Sequence, residues 1–454
     1  MPILPIDAGR YGSKEMKRIF EEEQVLRYSL EFEATVAEVQ GMLGIIPVNA
    51  AREIAYKARS NIISLDRVKE LENTREHDIA AMVEAIAEVC DEDAKPWVHY
   101  GLTSYDVVDT RISMQVRDAL NIIEEKVKTL TLLLVDKALT YKGIPAVGRT
   151  HGQHASIISF GLKFAVWADD MLMHIERLRE IKPRVLLCKT LGVVGTGSLM
   201  GSKALDVQAM VADRLNLYPV NAATQVISRE RLAELISVLV LISSTLDKIA
   251  VEIRNLQRSE IDEVREPFKE GQMGSSAVPV KRNPIKSERV SSIARLMHSI
   301  MIVALENISL WHERDLSNSA NERFIIPMSM ILLDEMLESM IKVLSGLNIN
   351  LDSIERNINL TKGQIFAEFV LDALIRRGMS RIEAYTLVQR AAFKASSTGM
   401  DFLSVLLESL KGMISEDELK GIFNAKERLG SSIAIIERIA ERAYRICGYN
   451  LNRV

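Results

Sequence analysis

The 454-residue chain is 48% hydrophobic and 26% charged, the balance of a water-soluble globular protein long enough for two or three domains. Its net charge of −4, with no strongly basic block, excludes the electrostatic footprint of a nucleic-acid binder. Few aromatic residues and an abundance of Leu, Ile, Ala, Glu and Arg tilt the composition toward helix.

The opening MPILPIDAGRYGSKEM lacks the apolar core of a signal peptide. Cys90, Cys188 and Cys447 lie far apart and form neither a metal-spaced pair nor a disulfide framework. They fit a reducing cytosol, and a cytoplasmic location is expected. Up to residue 104, Gly41, Gly44, Pro47 and Pro96 interrupt short helices. Punctuation then becomes sparse. No Gly or Pro occurs between Gly101 and Gly143, between Pro219 and Pro267, or between Pro284 and Pro327. Helix through most of such a gap would run about 60 Å, far beyond the ordinary helix. Ser104 is placed to cap a rod beginning at Tyr105, and Asn283 followed by Pro284 reads as the cap and first residue of another.

Within the middle gap, Leu232, Leu239, Leu246 and Ile253 recur every seven residues, and Leu235, Ile242, Ile249 and Leu256 follow three behind. Ile236, Val238, Val240 and Leu241 are apolar as well, which favours a helix inside a multi-helix bundle over a two-stranded coiled coil. The longest uncharged apolar run, Leu235 to Leu246, falls short of the roughly 20 residues of a membrane span. After about residue 350, segments are broken by Gly363, Gly378, Gly399, Gly412 and Gly430. Strand alternation is weak everywhere, and no repeat is present. The expected fold is all-α, with a small N-terminal domain (1–104), a central bundle of long helices (105–350) and a small C-terminal domain (351–454).

Residues 271–284, GQMGSSAVPVKRNP, cannot continue a helix and lie between two of these rods. The segment reads as a loop that gathers Ser275, Ser276, Lys281 and Asn283, and loops on rigid scaffolds are where chemistry collects. An ordinary surface connection would explain the Gly and Pro but not that clustering. GRTHGQHA, residues 148–155, offers His151 and His154 ahead of a segment read as helical. Either imidazole could trade protons near neutral pH or cap that helix. A metal reading of the His-x-x-His spacing finds no third ligand. In TREHDIAA, His77 and Asp78 precede an apolar helix pattern; in GLTSYDVVDT, Thr103 and Ser104 stand at a helix start, where amide and hydroxyl groups can hold an anion. Arg10, Arg289, Arg314 and Arg323 are each ordinary surface residues when taken singly, yet Arg suits bidentate phosphate and carboxylate recognition. The Gly-rich run LGVVGTGSLMG, residues 191–201, lacks the preceding strand of a dinucleotide site and reads as a tight turn.

GSSAVPVKRNP resembles the signature loop of the aspartase/fumarase superfamily, G-S-x-x-M-x-x-K-x-N, with Val278 where Met is usual. T-S-Y-D, HGQHA and KRNP are similar to the branch acting on succinylated purine nucleotides. The run LTKGQIFAEFVLDALIRRGMSRIEAYTLVQRAAFKA resembles the third domain of that branch, so the likeness covers essentially the whole chain. It implies an all-α homotetramer whose central helices form a common core, with each site shared between subunits and no metal or organic cofactor. It also implies elimination of fumarate from adenylosuccinate and from the parallel succinylated carboxamide ribotide. Ser275 would be the base and His151 the acid, with His77 supporting, and Lys281 and Asn283 stabilising the aci-carboxylate. Thr103 and Ser104 would touch the dicarboxylate. Arg10 and Tyr11 match an R-Y-x-S element, Gln225 a Gln before the heptad rod, and Arg289 a position after the loop. Arg314, Ser319 and Arg323 match W-x-E-R-x-L-x-x-S-x-x-x-R. His77 and Asp78 match an R-H-D element in which Glu76 stands where Arg is usual. Another lyase or cycloisomerase of the superfamily, and a non-catalytic scaffold of the same fold, are the alternatives.

Overall fold

Short-range signals in the first hundred residues produce five helices in the computed structural model, which describes residues 4–448: α1 (Lys14–Phe20), α2 (Glu22–Met42), α3 (Val48–Arg59), α4 (Leu65–Arg75) and α5 (Asp78–Val89). Ser13 and Ser64 cap α1 and α4 by accepting the amides of Met16 and Arg67. The rods follow as α6 (Ser104–Thr140) and α7 (Phe160–Val185), then, after the shorter α8 (Ala204–Arg214), α9 (Glu230–Leu256), α10 (Ile285–Glu306) and α11 (Ser319–Ser345). The C-terminal part is built from α12 (Leu351–Asn359), α13 (Ala367–Arg376), α14 (Arg381–Thr398), α15 (Phe402–Ser409), α16 (Glu416–Ile422) and α17 (Ser432–Cys447). The architecture is all-α. Strands among the described residues are limited to three two-stranded pairings, of which only the hairpin β1 (Pro145–Thr150) with β2 (Gln153–Ser159) exceeds two residues per strand.

Both heptad stripes of α9 are buried, no residue in them more than 3% exposed. Ile236 and Val238 are buried too, as a bundle helix requires, whereas Leu241 is 48% exposed. The gap between Pro284 and Pro327 holds two helices rather than one. Asp315 accepts the amides of Trp311 (2.6 Å) and Ser317 (2.7 Å), and His312 takes φ 49°. A short acidic side chain thus takes backbone donors in the connection between α10 and α11, a segment that contains no Gly or Pro. Conversely, Pro327 lies inside α11, where its missing N–H leaves the Arg323 carbonyl without its intrahelical donor.

The described residues form two compact units, 4–126 with His174–Ser244 and Ser292–Glu338, and Val127–Met173 with Thr245–Ser291 and 339–448. The first contains a buried charge network. Asp109, fully buried, accepts from Arg229 (2.5 Å), Arg231 (3.1 Å) and the Ile227 amide (2.8 Å). Burial pulls the Arg231 guanidinium down to about 10, so it stays charged at neutral pH. The second unit has two apolar clusters. Val147 and Ile157 of the hairpin pack with Ile358, Ile365, Phe366 and Leu429, while Val370, Leu374, Phe402, Val405 and Leu419 unite α13–α16. Among the described residues no helix is long and apolar enough to cross a membrane.

Candidate active site

The loop 271–284 folds back on itself inside the second unit. Gly274 sits so close to the Lys281 carbonyl that a Cβ there would lie 2.0 Å from its oxygen, and Asn283 Nδ2 donates to the Gly274 carbonyl at 3.0 Å. Gly274 is therefore a close-approach position, and Gly271, at φ 77°, takes the left-handed backbone that favours glycine. Ser275 is half-buried, and its Oγ accepts the amides of Ala277 (3.3 Å) and Val278 (3.1 Å). Two N–H groups aimed at one hydroxyl oxygen favour its anion. Ser276 is exposed.

The start of α10 differs from expectation. Asn283 does not cap it; its Nδ2 donates instead to the Gly274 carbonyl. Glu266 takes that role, accepting the amides of Lys286 (3.2 Å) and Ser287 (2.8 Å) and the Ser287 hydroxyl (2.6 Å). A buried carboxylate thus occupies the positive end of the helix. The backbone donors within reach of Ser275 Oγ are the Ala277 and Val278 amides. Gln257 holds both feet of the loop, accepting from the Glu266 amide (2.9 Å) and donating to the Arg282 carbonyl (3.0 Å). Lys281 is exposed, and Arg289 lies in the second turn of α10.

His151 is not at a helix start. With Gly152 it makes the two-residue turn of the β1–β2 hairpin, both at positive φ (52° and 76°), the form that suits strand twist. The imidazole is exposed at the hairpin tip. The hairpin is anchored below it by Arg149, whose guanidinium reaches buried Glu263 at 2.6 and 3.2 Å; Asn357 donates to the same carboxylate at 2.9 Å. His154, at the opposite strand, has a buried Nδ1 without a partner, and burial together with the charge of Arg149 lowers its pKa. Among the described residues no hydrogen bond links His151 to the 271–284 loop.

In the first unit, Thr103 rather than Ser104 caps α6. Its carbonyl accepts the Asp106 amide (2.9 Å), and its own amide donates to Asp106 Oδ2 (2.8 Å). Ser104 is the first helical residue. Asp106, fully buried, also accepts from Lys189 Nζ (2.5 Å) and the amides of Leu191 (3.1 Å) and Gly192 (3.0 Å). One carboxylate thereby joins the Thr103–Ser104 turn to the Gly-rich 191–201 segment. His77 caps α5, its Nδ1 accepting the Ala80 amide at 3.2 Å. A neutral His77 must then carry its proton on Nε2. Asp78 Oδ2 meets Arg323 Nη2 at 3.3 Å.

Gln225 and Arg314 also come together: Arg314 Nη1 donates to Gln225 Oε1 (2.7 Å), Gln225 Nε2 donates to the Val193 carbonyl (3.0 Å), and the Arg314 guanidinium lies 3.7 Å from the Tyr105 ring centroid. Ser319 opens α11, with Arg323 one turn on. Arg10 and Tyr11 precede an anchored stretch in which the Gly12 and Ser13 amides donate to Glu335 (3.1 Å) and Asp334 (2.7 Å) of α11. His99 was not singled out in the sequence. It takes φ 60° and sets Nδ1 2.6 Å from the nearly inaccessible Glu33 carboxylate. Burial opposes its protonation, but Glu33 outweighs burial and its pKa is raised.

A family model described as Lyase matches residues 9–297, and one described as Adenylosuccinate lyase C-terminus matches residues 363–439. A curated adenylosuccinate lyase from Pyrococcus abyssi (strain GE5 / Orsay) is 45% identical over 441 residues, spanning 97% of each chain. The chain belongs to the adenylosuccinate lyase family. Adenylosuccinate lyases from Methanocaldococcus jannaschii and Thermotoga maritima are 42% and 38% identical, over 97% and 94% of this chain and 96% and 98% of theirs. Among solved structures, a fumarate lyase from Mesorhizobium sp. BNC1 matches with TM-score 0.88 at 28% identity, over 97% of this chain and 100% of that one. A 3-carboxy-cis,cis-muconate lactonizing enzyme from Pseudomonas putida matches with TM-score 0.88 at 27% identity, over 98% and 100%.

Two positions set this member of the adenylosuccinate lyase family apart from the usual pattern. Val278 acts on Ser275 through its backbone N–H, and its side chain is 47% exposed, so exchanging Met for Val keeps the donor. Glu76 ends α4 in the left-handed conformation (φ 51°) with an exposed side chain. An acidic group there cannot replace an Arg as an anion contact.

Proposed function

We propose that this protein eliminates fumarate from adenylosuccinate to give AMP, and from the succinylated carboxamide ribotide SAICAR to give AICAR. Full-length identity with relatives named adenylosuccinate lyase carries this reading. Ser275, as alkoxide, removes the proton from the carbon next to a succinyl carboxylate. Lys281 and Asn283 stabilise the aci-carboxylate that results. The C–N bond then breaks, its electron pair leaves with nitrogen, and His151 supplies the proton to that nitrogen. The Ala277 and Val278 amides on Ser275 Oγ support its role as base, and the exposed place of His151 supports access to a ligand. His77 presents an Nε2–H as a supporting donor. Thr103 and Ser104 receive the dicarboxylate. Arg10, Tyr11, Asp78, Gln225, Arg289, Arg314, Ser319 and Arg323 bind the nucleotide. Neither proton transfer calls for a metal or organic cofactor.

The working form is a cytoplasmic homotetramer in which His151, His77 and Ser275 of one site come from different chains. Leu241, Leu296, Ile302 and Leu305 support it: these apolar side chains on long helices are 42–64% exposed in the single chain, more than a solvated helix face favours. Incubating the purified protein with adenylosuccinate and following fumarate release tests the activity. Release from argininosuccinate but not from adenylosuccinate, or from neither, would remove the reading.

A further inference from the structure

Arg111 follows Ser104 by seven residues on α6, two turns along, so both side chains leave the same face of the helix. The residue is only partly covered, but its Nε is sealed from solvent and has no hydrogen-bond partner. Charged neighbours acting on it are Asp78, at the start of α5, and Arg323 of α11, which touch each other at 3.3 Å. Asp109 also acts on it but already accepts from Arg229 and Arg231. Burial lowers the Arg111 pKa, Asp78 opposes the fall and Arg323 adds to it. Among the described residues Asp78 is bonded to Arg323, and no ion pair is formed by Arg111. A buried N–H without an acceptor costs about 1–3 kcal/mol, so the single chain leaves one Arg111 donor unused at a cost. Nearby, at position 76, this chain has an exposed Glu where the superfamily element has Arg.

We propose that Arg111, together with Arg323, binds the phosphate monoester of the nucleotide and supplies the cationic contact that Glu76 cannot. A dianion matches two guanidinium groups better than a single carboxylate does, and Arg offers a fork to two of its oxygens. This rests on the nucleotide reading given under Proposed function.

The test is calorimetric titration of the full-length wild type and Arg111→Met with AMP, adenosine and fumarate. AMP should weaken by about 10–100-fold, the loss of a charged hydrogen bond, while adenosine and fumarate stay within about twofold. KM for adenylosuccinate should rise with kcat little changed. Equal weakening of AMP and adenosine, unchanged AMP, or loss confined to fumarate would overturn the role of Arg111. Should Arg111→Met not fold, Arg111→Gln takes the same comparison. Wild-type protein that bound neither AMP nor adenylosuccinate would sink the nucleotide reading instead, and inorganic phosphate titrated into wild type and variant would then test Arg111 by itself.

Discussion

Glu266 Oε1 accepts both the amide and the hydroxyl of Ser287, at 2.8 and 2.6 Å, so the helix that begins after the signature loop is capped by a residue that precedes the loop. Glu266→Ala should lower stability by about 1–3 kcal/mol, combining loss of a cap with a buried hydroxyl left unpaired. Denaturant unfolding measures it, and an unchanged midpoint would contradict the assignment.

Ser275 and Ser276 are adjacent but differ in surroundings: only Ser275 Oγ receives two backbone amides. Ser275→Ala should fold, bind substrate and lose about 10²–10⁴-fold or more in turnover, whereas Ser276→Ala should keep more activity. Initial rates of fumarate release compare them, and the reverse order would move the base to Ser276.

His151→Gln should cost about 10²–10⁴-fold in turnover while AMP still binds. Burial lowers the His154 pKa and its Nδ1 is enclosed, so His154→Gln should act mainly through packing of the hairpin. An equal loss of turnover in both variants would show a structural role for the whole turn.

The pairing of His99 with Glu33 makes a pH prediction. A folded-state pKa raised above 6.5 means that the proton is bound more tightly in the folded chain. Its stabilisation is complete below about pH 6.5 and is lost as pH rises through the raised value. The stability advantage of wild type over His99→Asn should therefore shrink as pH rises above about 6.5. His154, with a lowered pKa, acts in the opposite sense and is common to both proteins, so it cancels in the difference. A gap that widened with pH would refute the argument.

Shared sites can be checked by mixing two inactive variants, His151→Ala and Ser275→Ala, under conditions that let subunits exchange. Recovery of activity is expected, because some sites would then receive both intact residues. Light scattering that found only monomers would refute the tetramer.

The long rods were legible because Gly and Pro are scarce and because α9 repeats Leu and Ile in register, features that need no tertiary information. The signature loop was legible for the converse reason. The hairpin carrying His151 was not. Neighbouring Ala146 and Val147 are both buried, so β1 lacks the alternation that marks a half-buried strand, and His-Gly is a weaker turn signal than Asn-Gly. Nor could the sequence show that Glu266 would cap α10, since that bond spans 21 residues and depends on how the loop closes. Nothing in the sequence marks Arg111, because the burial of its Nε without a partner arises only in the folded chain.

Gln257 bonds the chain on both sides of the loop, at Glu266 and at Arg282, while Glu266 is fastened to the helix that follows. A peptide bond cut between Gly271 and Val280 would thus leave two ends that remain tied to the same scaffold. Limited proteolysis should yield a nicked species whose fragments migrate together under native conditions and separate only on denaturation. Its melting point would fall little, because the loop contributes few buried apolar groups. Catalysis and thermal stability would come apart at a single cleavage.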